Sequence, residues 1–253
     1  MHSGRLPRSS RLLAGRAWPL LVAALACALS VCVVVVSWAS VRPRPGITAD
    51  IYALQAVPVI DGRLFGAQAG YVFLAGDSHA EFVNPTYRLC GREIVNGGVS
   101  GAGASLYRDL LKTIAFRRPP DFAVLTIGTN DILRMKDPLS ARSLETFERN
   151  VSAIVNGLPT RMRLIFVTPL PPVGRELVEK VQIEAVAAYS DRLRDLCERE
   201  RCTFVDPFRS FREDDGSTAR PGAMRDGLHL ASYRTAYANL ASLICPSGTP
   251  SDS

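Results

Sequence analysis

Short apolar runs recur along the chain at residues 71–74, 93–95, 122–127, 164–167 and 203–205. Runs of this length, bounded by Gly, Asn, Asp or Pro, read as buried strands. Between most of them the apolar positions change to helical spacing. Leu106, Leu110, Leu111 and Ile114 make one stripe, and Leu144, Phe147, Val151, Ile154, Val155 and Leu158 a second. Val178, Val181, Val186, Tyr189, Leu193 and Leu196 make a third, and Tyr233, Tyr237, Leu240 and Ile244 mark a last helix. Strand followed by helix, repeated, predicts a three-layer α/β/α fold with a central parallel sheet covered on both faces. No repeat of fixed period is present.

A different pattern precedes this domain. Residues 17–41 carry no charge and exceed the roughly 20 residues a helix needs to cross a bilayer. Arg5, Arg8, Arg11 and Arg16 precede the run, Arg42 and Arg44 follow it, and Trp18 and Trp38 sit near its ends. This balance predicts an uncleaved N-terminal transmembrane helix with the domain outside the cytoplasm. A cleaved signal peptide ending near Ser37-Trp38-Ala39 and a lipoprotein modified at Cys27 are the competing readings. The expected organisation is a basic cytoplasmic tail (1–16), a signal anchor (17–41), a linker or stalk (42–69), one α/β domain (70–245) and a disordered tail (246–253).

Charge changes the picture little. The formal net charge is +6, but six arginines precede the first acidic residue, Asp50. Without them 24 basic residues face 24 acidic ones, so no nucleic-acid footprint is expected on the folded part. Cys90, Cys197, Cys202 and Cys245 lie in the domain, and four cysteines allow three pairings. Cys197 with Cys202, close in sequence, is the first expected pair, and Cys90 with Cys245 the second. Such bonds agree with an exported domain. No histidine sits near these cysteines, so zinc is not indicated, and no cofactor is expected.

In a parallel sheet, ligands bind beyond the carboxyl ends of the strands. There the chain places Gly76-Asp77-Ser78, Asn96-Gly97-Gly98, Gly128-Thr129-Asn130-Asp131 and the Pro169–Pro172 stretch. A serine hydroxyl needs a base within hydrogen-bond reach, and the base needs an orienting partner. Of three histidines, His2 lies in the N-terminal tail and His79 adjoins Ser78, which leaves His229 as the base. Asp226, three positions earlier, is placed to orient it if the segment makes a helical turn. Gly98 and Asn130 are candidate donors to an oxyanion.

These four motifs, in this order, resemble the SGNH hydrolase family, also called GDSL-type esterases and lipases, over roughly residues 71–244. The resemblance implies a flavodoxin-like SGNH hydrolase fold. It also implies a catalytic set of Ser78 (nucleophile), His229 (general base, then acid) and Asp226 (orienting carboxylate). The implied oxyanion hole is the Ser78 N–H, the Gly98 N–H and the Asn130 amide. The chain departs from the family at His79, where leucine is usual. The expected activity is a membrane-anchored, extracytoplasmic serine esterase acting on acyl esters of a glycan or lipid, O-acetyl groups among them. The alternatives are an O-acyltransferase onto cell-surface sugars, a lysophospholipase or thioesterase, and a non-catalytic glycan-binding surface protein. Phe82, Tyr87 and the Pro169–Pro172 loop are candidates to line an acyl pocket.

Overall fold

The computed structural model describes residues 48–246, which form one unit beginning at Thr48. β1 (Val72–Gly76) is the centre of its sheet, and every residue in it is buried. It pairs in parallel with β3 (Arg92–Gly98) on one side and β4 (Phe122–Thr126) on the other. β5 (Leu164–Val167) and then β6 (Thr203–Phe204) extend the parallel sheet beyond β4. The register sets Gly76, Gly98 and Thr126 level at the carboxyl edge. The parallel strands thus follow the flavodoxin-like order. The sheet is not wholly parallel, however. β2 (Arg88–Leu89) adds an antiparallel edge to β3 through Cys90 and Gly91, both at positive φ, as a two-residue hairpin turn requires.

Alternate residues of the strands face opposite layers. Phe73, Ala75, Leu125 and Val167 pack under four helices: α1 (Ala49–Gly66), α3 (Ala104–Leu111), α4 (Ala141–Gly157) and α5 (Ala185–Arg199). Val72, Leu74, Val124 and Phe166 face α2 (Ser78–Glu81) and α6 (Tyr233–Ile244). The disulfides Cys90–Cys245 and Cys197–Cys202 both form.

Three features differ from the sequence reading. The 42–69 stretch, read as linker, contains α1, capped by the Thr48 side chain and packed into the core through Ala53, Ile60 and Leu64. Its apolar pattern is confounded because Ile51, Leu54, Val59 and Phe65 are exposed and Pro58 lies inside the helix. The third helical stripe starts later than its spacing suggests, at Ala185, because Val181 forms a bridge with Leu133 instead. The N-terminal transmembrane helix is corrected. No helix among the described residues is long and apolar enough to cross a membrane. Residues 17–41, to which the span was assigned, lie outside the described residues, as do 1–16 and 247–253. The membrane partner, single-pass topology and extracytoplasmic placement that depended on that span are not supported.

Candidate active site

The apolar run of β1 ends in Gly76-Asp77-Ser78 for steric and electrostatic reasons. Gly76 has φ +138°, and a Cβ there would lie 1.8 Å from the Thr126 carbonyl oxygen, so the strands close only around glycine. Asp77 then caps α2: its carboxylate accepts the His79 N–H (2.9 Å) and the Thr129 N–H (3.3 Å), tying two strand-end loops together. The side chain is fully buried. Burial pushes its carboxyl up to about 7, against the pull of these hydrogen bonds. Ser78 follows as the first residue of α2, at the sheet's carboxyl edge, and is 5% exposed.

His229 arrives from the loop before α6. The loop is not a helical turn. Asp226 instead makes an Asx-type turn, its Oδ1 accepting the N–H of Leu228 (3.1 Å) and of His229 (2.8 Å), with Gly227 at φ +80°. The cap of α6 is a separate residue, Ser232. The turn brings His229 Nδ1 to 2.9 Å from Asp226 Oδ2 and His229 Nε2 to 3.0 Å from Ser78 Oγ. Partial burial pushes the Asp226 carboxyl up, but hydrogen bonds from the His229 backbone and imidazole and from Leu228 outweigh it and leave it well below the usual carboxylate range. An ionised Asp226 holds the proton on Nδ1, which turns the Nε2 lone pair toward the serine.

The expected oxyanion donors are placed unequally. The Ser78 N–H meets no acceptor among the described residues. The Asn130 amide donates one hydrogen to the Ala102 carbonyl (3.1 Å), leaving the other. The Gly98 N–H is already engaged by Asn96 Oδ1 at 2.9 Å. Gly98 has a packing reason to be glycine, since a Cβ there would lie 2.2 Å from the Glu81 nitrogen and block the seat of α2 on β3. Further along the same loop the Gly101 N–H has no acceptor among the described residues, and Gly101 has φ +78°. Sequence reasoning passed over it. The Ser-Gly pair in a loop after a strand was the available signal.

Two aromatic neighbours flank the histidine. Phe82, 41% exposed, lies with its ring centroid 4.9 Å from that of His229, and the Arg225 guanidinium stands 5.5 Å over Phe82. The buried His79 ring lies 5.6 Å from the His229 ring. The loop at residues 169–172 is buried rather than open to a ligand, and its Leu170 packs against Gly128.

Comparison with known proteins agrees with this architecture. Residues 69–232 match the profile of the GDSL-like Lipase/Acylhydrolase family. No curated protein matches the chain. Among solved structures, a Streptococcus pneumonia protein named for platelet activating factor is 22% identical, with TM-score 0.63 over 76% of this chain and 94% of that one. A GDSL-like lipase from Bacteroides thetaiotaomicron is 15% identical, with TM-score 0.57 over 76% of this chain and 96% of that one. At these identities the structural likeness establishes the fold. The family match spans more than half the chain: this protein belongs to the GDSL-like Lipase/Acylhydrolase family and is a hydrolase acting on ester bonds.

Proposed function

We propose that the chain cleaves acyl esters by a two-step serine mechanism carried by Ser78, His229 and Asp226. Ser78 Oγ attacks the ester carbonyl while His229 Nε2 takes its proton, and the carbonyl π electrons move onto oxygen. The Ser78 N–H and the remaining Asn130 hydrogen are the donors for that oxyanion, and Gly101 is the residue through which the loop after β3 adds an N–H. Gly98, whose N–H is taken, supports the site by letting α2 approach β3. Collapse of the tetrahedral species expels the alcohol, which leaves with the proton from His229. Water then attacks the acyl-serine as His229 accepts its proton, and collapse of the second tetrahedral species releases the acid as His229 returns that proton to Ser78 Oγ.

The observation that carries this reading is the pair of hydrogen bonds on the His229 ring. One reaches Asp226 three residues away and the other reaches Ser78, 151 positions distant in sequence. A chance contact at one ring nitrogen is common; partners of the right kind at both are what a charge-oriented general base requires. Treatment with a fluorophosphonate probe, beside p-nitrophenyl acetate turnover, tests it. The wild-type protein is expected to label at Ser78. Ser78→Ala is expected to abolish labelling, and Ser78→Ala and His229→Ala each to cut turnover by at least about 10³-fold. A folded wild-type protein that neither labels nor turns over ester overturns the assignment.

A further inference from the structure

His79 has no part in the steps above, yet it occupies a costly position. It is 3% exposed, and its Nε2 has no hydrogen-bond partner among the described residues. Burying an imidazole with an unsatisfied nitrogen destabilises a fold, and a leucine would fill such a space without that penalty. The ring is not idle, however. Its Nδ1 lies 3.2 Å from Tyr233 Oη, on the first residue of α6 and 154 positions away in sequence.

The His79 ring lies 5.6 Å from the His229 ring, and Tyr233 follows His229 by four positions. The His79–Tyr233 bond therefore ties the turn that carries Ser78 to the start of α6, across the segment that presents His229. Backbone bonds from Arg225 N–H to the His229 carbonyl (2.7 Å) and from Ala231 N–H to the Ala223 carbonyl (2.9 Å) hold the far side of the loop.

We propose that His79 and Tyr233 form a clamp that holds the His229 segment against α2, making both of them positioning residues for the catalytic base. The inference rests on the triad reading for its catalytic consequence, but the clamp itself is a structural claim. A displacement of about 1 Å at a general base is enough to lower turnover strongly without weakening substrate binding.

The test uses the full chain, with its three histidines, in the wild-type form and as His79→Leu, His79→Asn, Tyr233→Phe and the His79→Leu/Tyr233→Phe double variant. Two quantities are read: kcat and KM on p-nitrophenyl acetate, and the imidazole NMR signals of His229, assigned with His229→Ala. His79→Leu and Tyr233→Phe are each expected to lower kcat about tenfold with KM within about threefold. The double variant is expected to fall no further than either single one, because the two residues act as one unit. The His229 ring signals should broaden or split in the same variants. His79→Asn, whose amide oxygen can accept the Tyr233 O–H near the place of Nδ1, should restore both readouts toward wild type. Unchanged His229 signals and kcat in a folded His79→Leu protein overturn the clamp. If that variant does not fold, Tyr233→Phe, which removes one oxygen atom, decides by the same two criteria. A wild-type protein without turnover would refute the hydrolase assignment, while the ring signals would still decide the clamp.

Discussion

Asp77 and His79 flank Ser78, the proposed nucleophile, and both are buried, yet burial drives their titrations in opposite directions. Burial pushes the Asp77 carboxyl from 3.8 up to about 7. The folded state then keeps a proton that the unfolded chain releases. The stability this contributes is present below about pH 4 and is lost as pH rises toward 7. Burial, reinforced by the nearby His229, pushes the His79 imidazole from 6.5 down to about 3. Here the unfolded chain takes a proton that the folded state refuses, so stability is present above about pH 6.5 and is lost as pH falls toward 3. Between about pH 4 and 6.5 the two slopes oppose, each at most about 1.4 kcal/mol per pH unit. The pair therefore masks its own pH dependence, and single substitutions unmask it. Asp77→Asn is expected to make stability rise with pH across that window, and His79→Leu to make it fall. Urea unfolding at pH values near 4.5, 5.5 and 6.5 measures this. Parallel stability–pH curves for wild type and both variants would rule the account out.

At the level of elements, α1 is fastened to the site. The Tyr52 hydroxyl donates to the Glu81 carboxylate on α2, and Glu81 Oε2 accepts the Ser100 N–H at 2.6 Å. Arg63 of the same helix donates to the Asn96 carbonyl at 2.8 Å. The loop that carries Gly101 is thus held by the first helix of the described residues, whose Ala49 lies beside Gly101. Tyr52→Phe removes one of these bonds, with an expected cost of about 1–2 kcal/mol in stability. The loss should be local: hydrogen exchange at the Ser100 and Gly101 amides should quicken while amides in β4 and β5 keep their protection. Uniform or unchanged exchange would detach α1 from the loop. This helix was the part of the fold least legible in the sequence, because its exposed Ile51, Leu54, Val59 and Phe65 erase the two-sided pattern by which helices are recognised. The strands were legible for the opposite reason, since runs such as 72–76 are buried on both faces and tolerate little but apolar residues. Of the proposed triad, Ser78 stood out by its strand-end position, and His229 and Asp226 as the remaining histidine and the carboxylate three positions before it. The partner of a backbone N–H is not written in residue type, however, and so the engagement of Gly98 by Asn96 emerged only from the fold. The same holds for His79 and Tyr233, which meet across most of the domain's length.

Across the whole molecule the two faces of the sheet are secured differently. Four helices cover one face, whereas α6 and the single turn of α2 cover the other. The thinner layer holds Ser78, the proposed nucleophile, and, through Tyr233, the proposed clamp. Its far end is fastened covalently: Cys90, in the hairpin after β2, is bonded to Cys245 at the end of α6, with 155 positions between them. Cys197–Cys202 closes a loop of only 5 positions beside the thicker layer. In the chain-entropy account, closing these loops restricts the unfolded chain by about 5 and about 2 kcal/mol respectively. Cys90→Ser/Cys245→Ser should therefore cost about 3 kcal/mol more in chemical denaturation than Cys197→Ser/Cys202→Ser. The two pairs should also differ in function. Loosening α6 frees Tyr233 and with it the His229 loop, so the first double variant should lose turnover at temperatures where it is still folded, while the second keeps it. Turnover preserved in both would mean that the candidate-site face is held by packing alone and that the long disulfide acts only on the unfolded chain, whereas equal losses of stability would refute the loop-length account itself.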